Sequence, residues 1–91
     1  MNSHANIIVN GIVQGVGFRW FVDRNVRKLD LKGFVENRYD GTVYVEVEGE
    51  RSLIEEFIKQ LQLGPRGAQV NDVAVEWSDA KNLFLGFKIK S

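Results

Sequence analysis

The chain has 91 residues, enough for one domain with a modest core, so residues 1–91 are read as a single domain. Twelve basic residues balance twelve acidic ones, which excludes a general polyanion binder. There is no cysteine, which excludes disulfide frameworks, thiolate metal sites and cysteine nucleophiles. Hydrophobic residues make up 44% and charged residues 26%, a balance that suits a folded globule and not a disordered chain. No apolar run approaches the roughly 20 residues that span a bilayer. The N-terminus lacks the basic-then-apolar pattern of a signal peptide. The expected location is cytoplasmic, with no membrane partner. The single histidine, His4, is expected in a fraying terminus.

Ile7, Val9, Gly11 and Val13 alternate with Ile8, Asn10 and Ile12, predicting a first strand with one apolar face. Residues 14–17, Gln-Gly-Val-Gly, interrupt it. From Phe18 the period becomes helical: Phe18, Phe21, Val22, Val26 and Leu29 form one stripe. A second strand runs from Gly33 to Asn37, and Asp40-Gly41 signals a hairpin turn. Val43, Val45 and Val47 alternate with Tyr44, Glu46 and Glu48 in a third strand that Gly49 ends. Ser52 with Glu55 reads as a capping box before a second stripe of Ile54, Phe57, Ile58 and Leu61, which Gly64-Pro65 stops. Residues 66–69 read as loop. Val73, Val75 and Trp77 form a fourth strand, and Leu85, Phe87 and Ile89 a short last one.

Each strand has about one apolar face and each helix one stripe, which predicts two layers. The fold class is α+β: a ferredoxin-like βαββαβ sandwich, a mostly antiparallel sheet with both helices on one face. Phe18, Phe21, Phe34, Phe57 and Phe87 are assigned to the core. Trp20 lies off its helix stripe, at the site's border or a sheet edge.

Several phosphate chemistries fail on the residues. No Walker loop is present, and the Gly15-x-Gly17 pattern lacks the third glycine of a dinucleotide fingerprint. No cluster of metal ligands is visible, and no cofactor is implied. What remains is the loop of residues 14–19. Gly15 and Gly17 allow the backbone of Gly15, Val16, Gly17, Phe18 and Arg19 to curl so that successive N–H groups converge. The helix start adds unpaired N–H groups and partial positive charge. Arg19 adds a forked cation suited to phosphate oxygens. A plain tight turn followed by a solvated arginine uses the same residues, and the loop alone does not separate the two. Asn37 likewise suits ordinary turn chemistry before Asp40-Gly41.

Motifs across nearly the whole chain resemble the acylphosphatase family. They are the loop Val13 to Arg19; Leu29-Asp30-Leu31-Lys32-Gly33-Phe34-Val35-Glu36-Asn37; Asp40-Gly41; Glu48-Gly49; Gly64-Pro65; the alternation Val73, Val75, Trp77; and Gly86-Phe87-Lys88-Ile89. The resemblance implies metal-independent hydrolysis of acyl phosphates to a carboxylate and inorganic phosphate. It implies that Arg19 and the loop backbone bind the phosphoryl group and that Asn37 positions the attacking water. The implied partner is a small-molecule acyl phosphate, with inorganic phosphate as product and competitive inhibitor, and the implied state a monomer. The chemistry is consistent: neither a guanidinium nor an amide exchanges protons near neutral pH, and a leaving carboxylate needs no acid because its conjugate acid has a pKa of roughly 4.

Three residues depart from the family pattern. Asp30 replaces a glycine and is expected to tolerate a left-handed conformation at a cost of about 1 kcal/mol. Glu36 replaces a basic residue and is expected to weaken the local positive field. Val26 replaces an alanine on the inner helix stripe and needs space there. Two other function classes use such a fold. An anion-binding module would bind phosphate without turnover. An RNA-binding domain needs aromatic platforms in a basic surround, and the outer face of the third strand offers Thr42, Tyr44, Glu46 and Glu48 instead, so no nucleic-acid partner is expected.

Overall fold

The computed structural model describes all residues, Met1–Ser91. In chain order the elements are β1 (Asn2–Ile12), α1 (Phe18–Lys28), β2 (Lys32–Asn37), β3 (Val43–Glu50), α2 (Arg51–Leu63), β4 (Gln69–Asp79) and β5 (Phe87–Lys90). They form one five-stranded sheet in the order β4-β1-β3-β2-β5. β1 pairs antiparallel with β3 and β4, and β2 antiparallel with β3; only β2 and β5 run parallel. This is the expected ferredoxin-like arrangement.

The strand alternation drives the packing. Ile7, Val9, Val35, Val43, Val45 and Val47 turn to one face and are fully buried. Against them lie Phe18, Val22 and Val26 of α1 and Ile54, Phe57 and Leu61 of α2, all in one core cluster. Full burial of each such side chain contributes roughly 1.5–3 kcal/mol relative to exposure. Val26, the larger residue on the inner stripe, is fully buried in this core. Asp30 follows the C-cap of α1 and adopts φ 54, the left-handed conformation expected of it.

Several local expectations differ from the structure. The strand signals understated β1 and β4, which reach Asn2 and Asp79. The capping box does not form: α2 begins at Arg51, so Ser52 lies inside the first turn, and no side chain caps the helix. Instead Arg51 N–H donates to the carbonyl of Met1. Leu85 is fully exposed and precedes β5. Phe34 lies on the face away from the helices, where its ring meets Tyr44 and Phe84.

His4 is not frayed but 2% exposed. Its Nδ1 lies 2.7 Å from Glu48 Oε2, and its Nε2 lies 2.9 Å from both Glu46 Oε1 and Asn6 Oδ1. The segment of residues 80–86 crosses this open face from one sheet edge to the other. Phe84 stacks on His4, and Glu48 accepts from the N–H groups of Lys81 and Asn82 at 2.6 and 2.9 Å. Burial pushes the Glu48 carboxyl up, but the hydrogen bonds from His4, Lys81 and Asn82 outweigh it and hold it below its ordinary 4.5. A carboxyl lowered by folding stabilises the protein above the unfolded-state pKa, and that stability is lost as the pH falls through the folded-state value. The urea midpoint of the wild type should therefore exceed that of Glu48→Gln at neutral pH, and the gap should narrow below pH 4.5. Parallel curves down to about pH 3 would remove this role for Glu48.

No helix is long and apolar enough to cross a membrane.

Candidate phosphate-binding site

The loop between β1 and α1 curls through alternating backbone signs. Gly15 has φ 74 and Gly17 has φ 76, while Val16 between them keeps a negative φ. A Cβ at either glycine would meet nothing within 4 Å, so these positions need glycine for conformation and not for space. Such alternation turns successive N–H groups into one concavity. The side chain of Val16 packs against the core and anchors the loop from below.

Gly17 is the N-cap of α1 and offers no side chain to cap it. The first helical bond is Phe21 N–H to the Gly17 carbonyl at 3.1 Å, and no backbone carbonyl accepts from the N–H groups of residues 15–20. A helix start without internal partners carries partial positive charge and suits an anion.

A hollow of about 200 Å³ opens here, lined by Val13, Gly15, Gly17, Phe18, Arg19, Trp20 and Asn37. Arg19 is its only charged residue, and no carboxylate lines it. The guanidinium is steered from far along the chain: Nη1 donates to the carbonyl of Lys90 at 2.8 Å. That bond occupies one of five N–H donors and leaves the rest of the fork for an anion. Phe18 is buried beneath the hollow, and Trp20 stands 68% exposed at its rim.

Asn37 ends β2. Alternation along that strand sends Val35 and Asn37 to the helix side and Phe34 and Glu36 to the other. The Oδ1 of Asn37 is buried without a protein partner. Glu36, expected to weaken the positive field, faces away, and Arg38 Nε lies 3.7 Å from its carboxylate. Arg38 itself lies over the Tyr44 ring at 4.0 Å.

The residues expected at the site thus line one hollow, save Val16, whose side chain packs against the core. Two contributors were not legible in the sequence: Val13 as a lining residue and the steering carbonyl of Lys90. Trp20, expected at the site's border or a sheet edge, lines the hollow. No local signal announces a main-chain carbonyl 71 residues from Arg19. A larger hollow of about 490 Å³ lies at the far end of β1 and is lined by Asp30, Glu48 and Glu50 among others. Three carboxylates against Lys32 disfavour an anion there, so size does not identify the site. No group of three His, Asp or Glu side chains is arranged to hold a metal ion.

Known proteins resemble this chain along nearly its whole length. The acylphosphatase family model matches residues 5–89. The acylphosphatase of Salinibacter ruber is 46% identical over 82 residues, covering 90% of this chain and 86% of that protein. That of Moorella thermoacetica is 43% identical over 87 residues, covering 96% and 92%. The crystal structure of acylphosphatase from Bacillus subtilis superposes with a TM-score of 0.95 at 36% identity, covering 98% of this chain and 99% of that one. The fold, the family match and the near-complete coverage of these relatives lead to one conclusion: this chain belongs to the acylphosphatase family.

Proposed function

We propose that Arg19 and the backbone of Gly15, Val16, Gly17, Phe18 and Arg19 hold the phosphoryl group of an acyl phosphate, and that Asn37 positions the water that attacks it. Hydrolysis of acyl phosphates is the activity of the family to which the chain belongs. The observation that carries the residue assignment is the hollow itself. Residues with unpartnered N–H groups, the one guanidinium and Asn37, whose side chain makes no hydrogen bond to the protein, line it together.

The Asn37 amide hydrogen-bonds the water, which aims an oxygen lone pair at phosphorus. The water oxygen forms the new P–O bond while the bond from phosphorus to the acyl oxygen breaks, and its electron pair leaves with the carboxylate. Both water hydrogens end on the phosphate, one of them passed to a phosphoryl oxygen. A phosphoryl dianion and water thus become a carboxylate and dihydrogen phosphate. No residue need donate or accept a proton, which suits a site built from an arginine and an amide. Catalysis then consists of positioning and of stabilising charge on the equatorial oxygens by the N–H groups and Arg19.

The reaction in this proposal needs no metal, and inorganic phosphate competes with substrate because it fits the same cradle. A cysteine-free chain needs no oxidising compartment. The proposal places residues 1–91 in the cytoplasm as a monomeric domain. The test is phosphate release from a small aromatic acyl phosphate with a chelator present. Release well above the buffer rate, unchanged by the chelator and competitively inhibited by inorganic phosphate, is the expected result. Loss of turnover on chelation would overturn the metal-free reading, and phosphate binding without turnover would make the chain an anion-binding module.

A further inference from the structure

Gln14 lies just ahead of the phosphate loop, and its carboxamide reaches across the molecule. Nε2 donates to the carbonyl of Arg38 at 2.6 Å and to the carbonyl of Thr42 at 2.8 Å. Both partners are carbonyl oxygens, so only the amino end of the amide can face them. These two carbonyls close the connection from β2 to β3. Arg38 N–H also donates to the Thr42 carbonyl at 2.9 Å, and Gly41 N–H to the Arg38 carbonyl at 3.1 Å. Asp40 secures the turn from within, accepting from the Thr42 hydroxyl and N–H. Arg38 follows Asn37 directly, and Thr42 precedes Val43, the strand partner of Asn37.

We propose that Gln14 is a positioning residue: its two hydrogen bonds lock the turn beside Asn37 to the start of the phosphate loop, setting the distance between the attacking water and the bound phosphoryl group. This rests on the water-positioning role proposed for Asn37. The two halves of the site come from different elements, one after β1 and one at the end of β2. A short clamp between them fixes their separation without touching substrate. Reaction rates are sensitive to sub-ångström displacement of such groups, whereas phosphate binding needs only the loop and Arg19.

The test measures kcat, KM and the inhibition constant of inorganic phosphate in four proteins: wild type, Gln14→Met, Asn37→Ala and the double variant. Methionine keeps the chain length of Gln14 and removes both donors. Gln14→Met should lower kcat roughly tenfold while the phosphate constant stays within about twofold. In the Asn37→Ala background the same substitution should change kcat by less than about twofold, because the residue it positions is gone. Gln14→Asn, whose amide is drawn back by one methylene, should show the same separation of kcat from phosphate binding, and it serves if the methionine variant does not fold. An unchanged kcat overturns the proposal. So does a parallel loss of phosphate affinity, or an equal loss of kcat in both backgrounds. Full activity of Asn37→Ala alone would instead overturn the role of Asn37.

Discussion

Arg19→Ala is expected to abolish detectable phosphate binding and, with it, turnover. The alanine variant retains the curled loop and its N–H groups but loses the only charge lining the hollow. Hydrogen bonds to charged groups contribute roughly 1.5–3 kcal/mol each, so losing a two-pronged contact costs on the order of a hundredfold to ten-thousandfold in affinity. The readout is phosphate protection against thermal unfolding. At phosphate concentrations about a hundred times its Kd the wild type should gain about 2.7 kcal/mol, and the variant nothing measurable. The fold should persist, since the only side-chain hydrogen bond that Arg19 makes is the one to the Lys90 carbonyl, at an exposed position. Arg19→Lys keeps the charge without the planar fork and should recover only part of the affinity. Full protection of the alanine variant by phosphate would remove Arg19 from the site.

Asn37→Ala should separate turnover from binding. Loss of one polar group that acts on the transition state lowers kcat by on the order of a hundredfold, about 2.7 kcal/mol. Phosphate should still bind, because neither the loop N–H groups nor Arg19 depends on the amide. Stability should change little. The Oδ1 of Asn37 is buried without a protein partner, so truncation strands no other group and removes one that is itself unsatisfied. A fall in kcat with unchanged phosphate inhibition and an unchanged urea midpoint is the expected signature. Equal losses in turnover and in phosphate affinity would mean that Asn37 belongs to the cradle, and unchanged turnover would sink the water-positioning role.

The fold was legible where local pattern and burial coincide. The valines of β3 and the stripes of α1 and α2 name one face each, and those faces form the core. Asp40-Gly41 marked the turn that brings β3 back against β2. Patterns failed where polar residues are buried through distant partners. His4 and Ser3 look like a polar terminus, yet they extend β1 because β3 and β4 pair with both and Glu48 meets the imidazole. Phe34 looks like core, but strand parity sends it to the opposite face from Val35. The capping box failed because α2 starts two residues earlier, with Glu50 as its N-cap and the Met1 carbonyl accepting from Arg51 N–H.

The site divides in the same way. The bend at Gly15 and Gly17 and the helix start that follows are local consequences of residue type, because left-handed backbone and an uncapped helix need no long-range contact. They are written into residues 14–19, as is the presence of a cation beside them. The aim of that cation is not local: β5 supplies the carbonyl that holds Arg19, and only the parallel pairing of β5 with β2 brings it there. Nor does any local rule bring Asn37 to the loop. Parity chooses its face, while the placement of β1 and β2 on either side of β3 and the reach of Gln14 across the turn set its distance. Chain conformation is decided by neighbours in sequence, whereas convergence on one hollow is decided by strand order, which no short stretch of residues encodes.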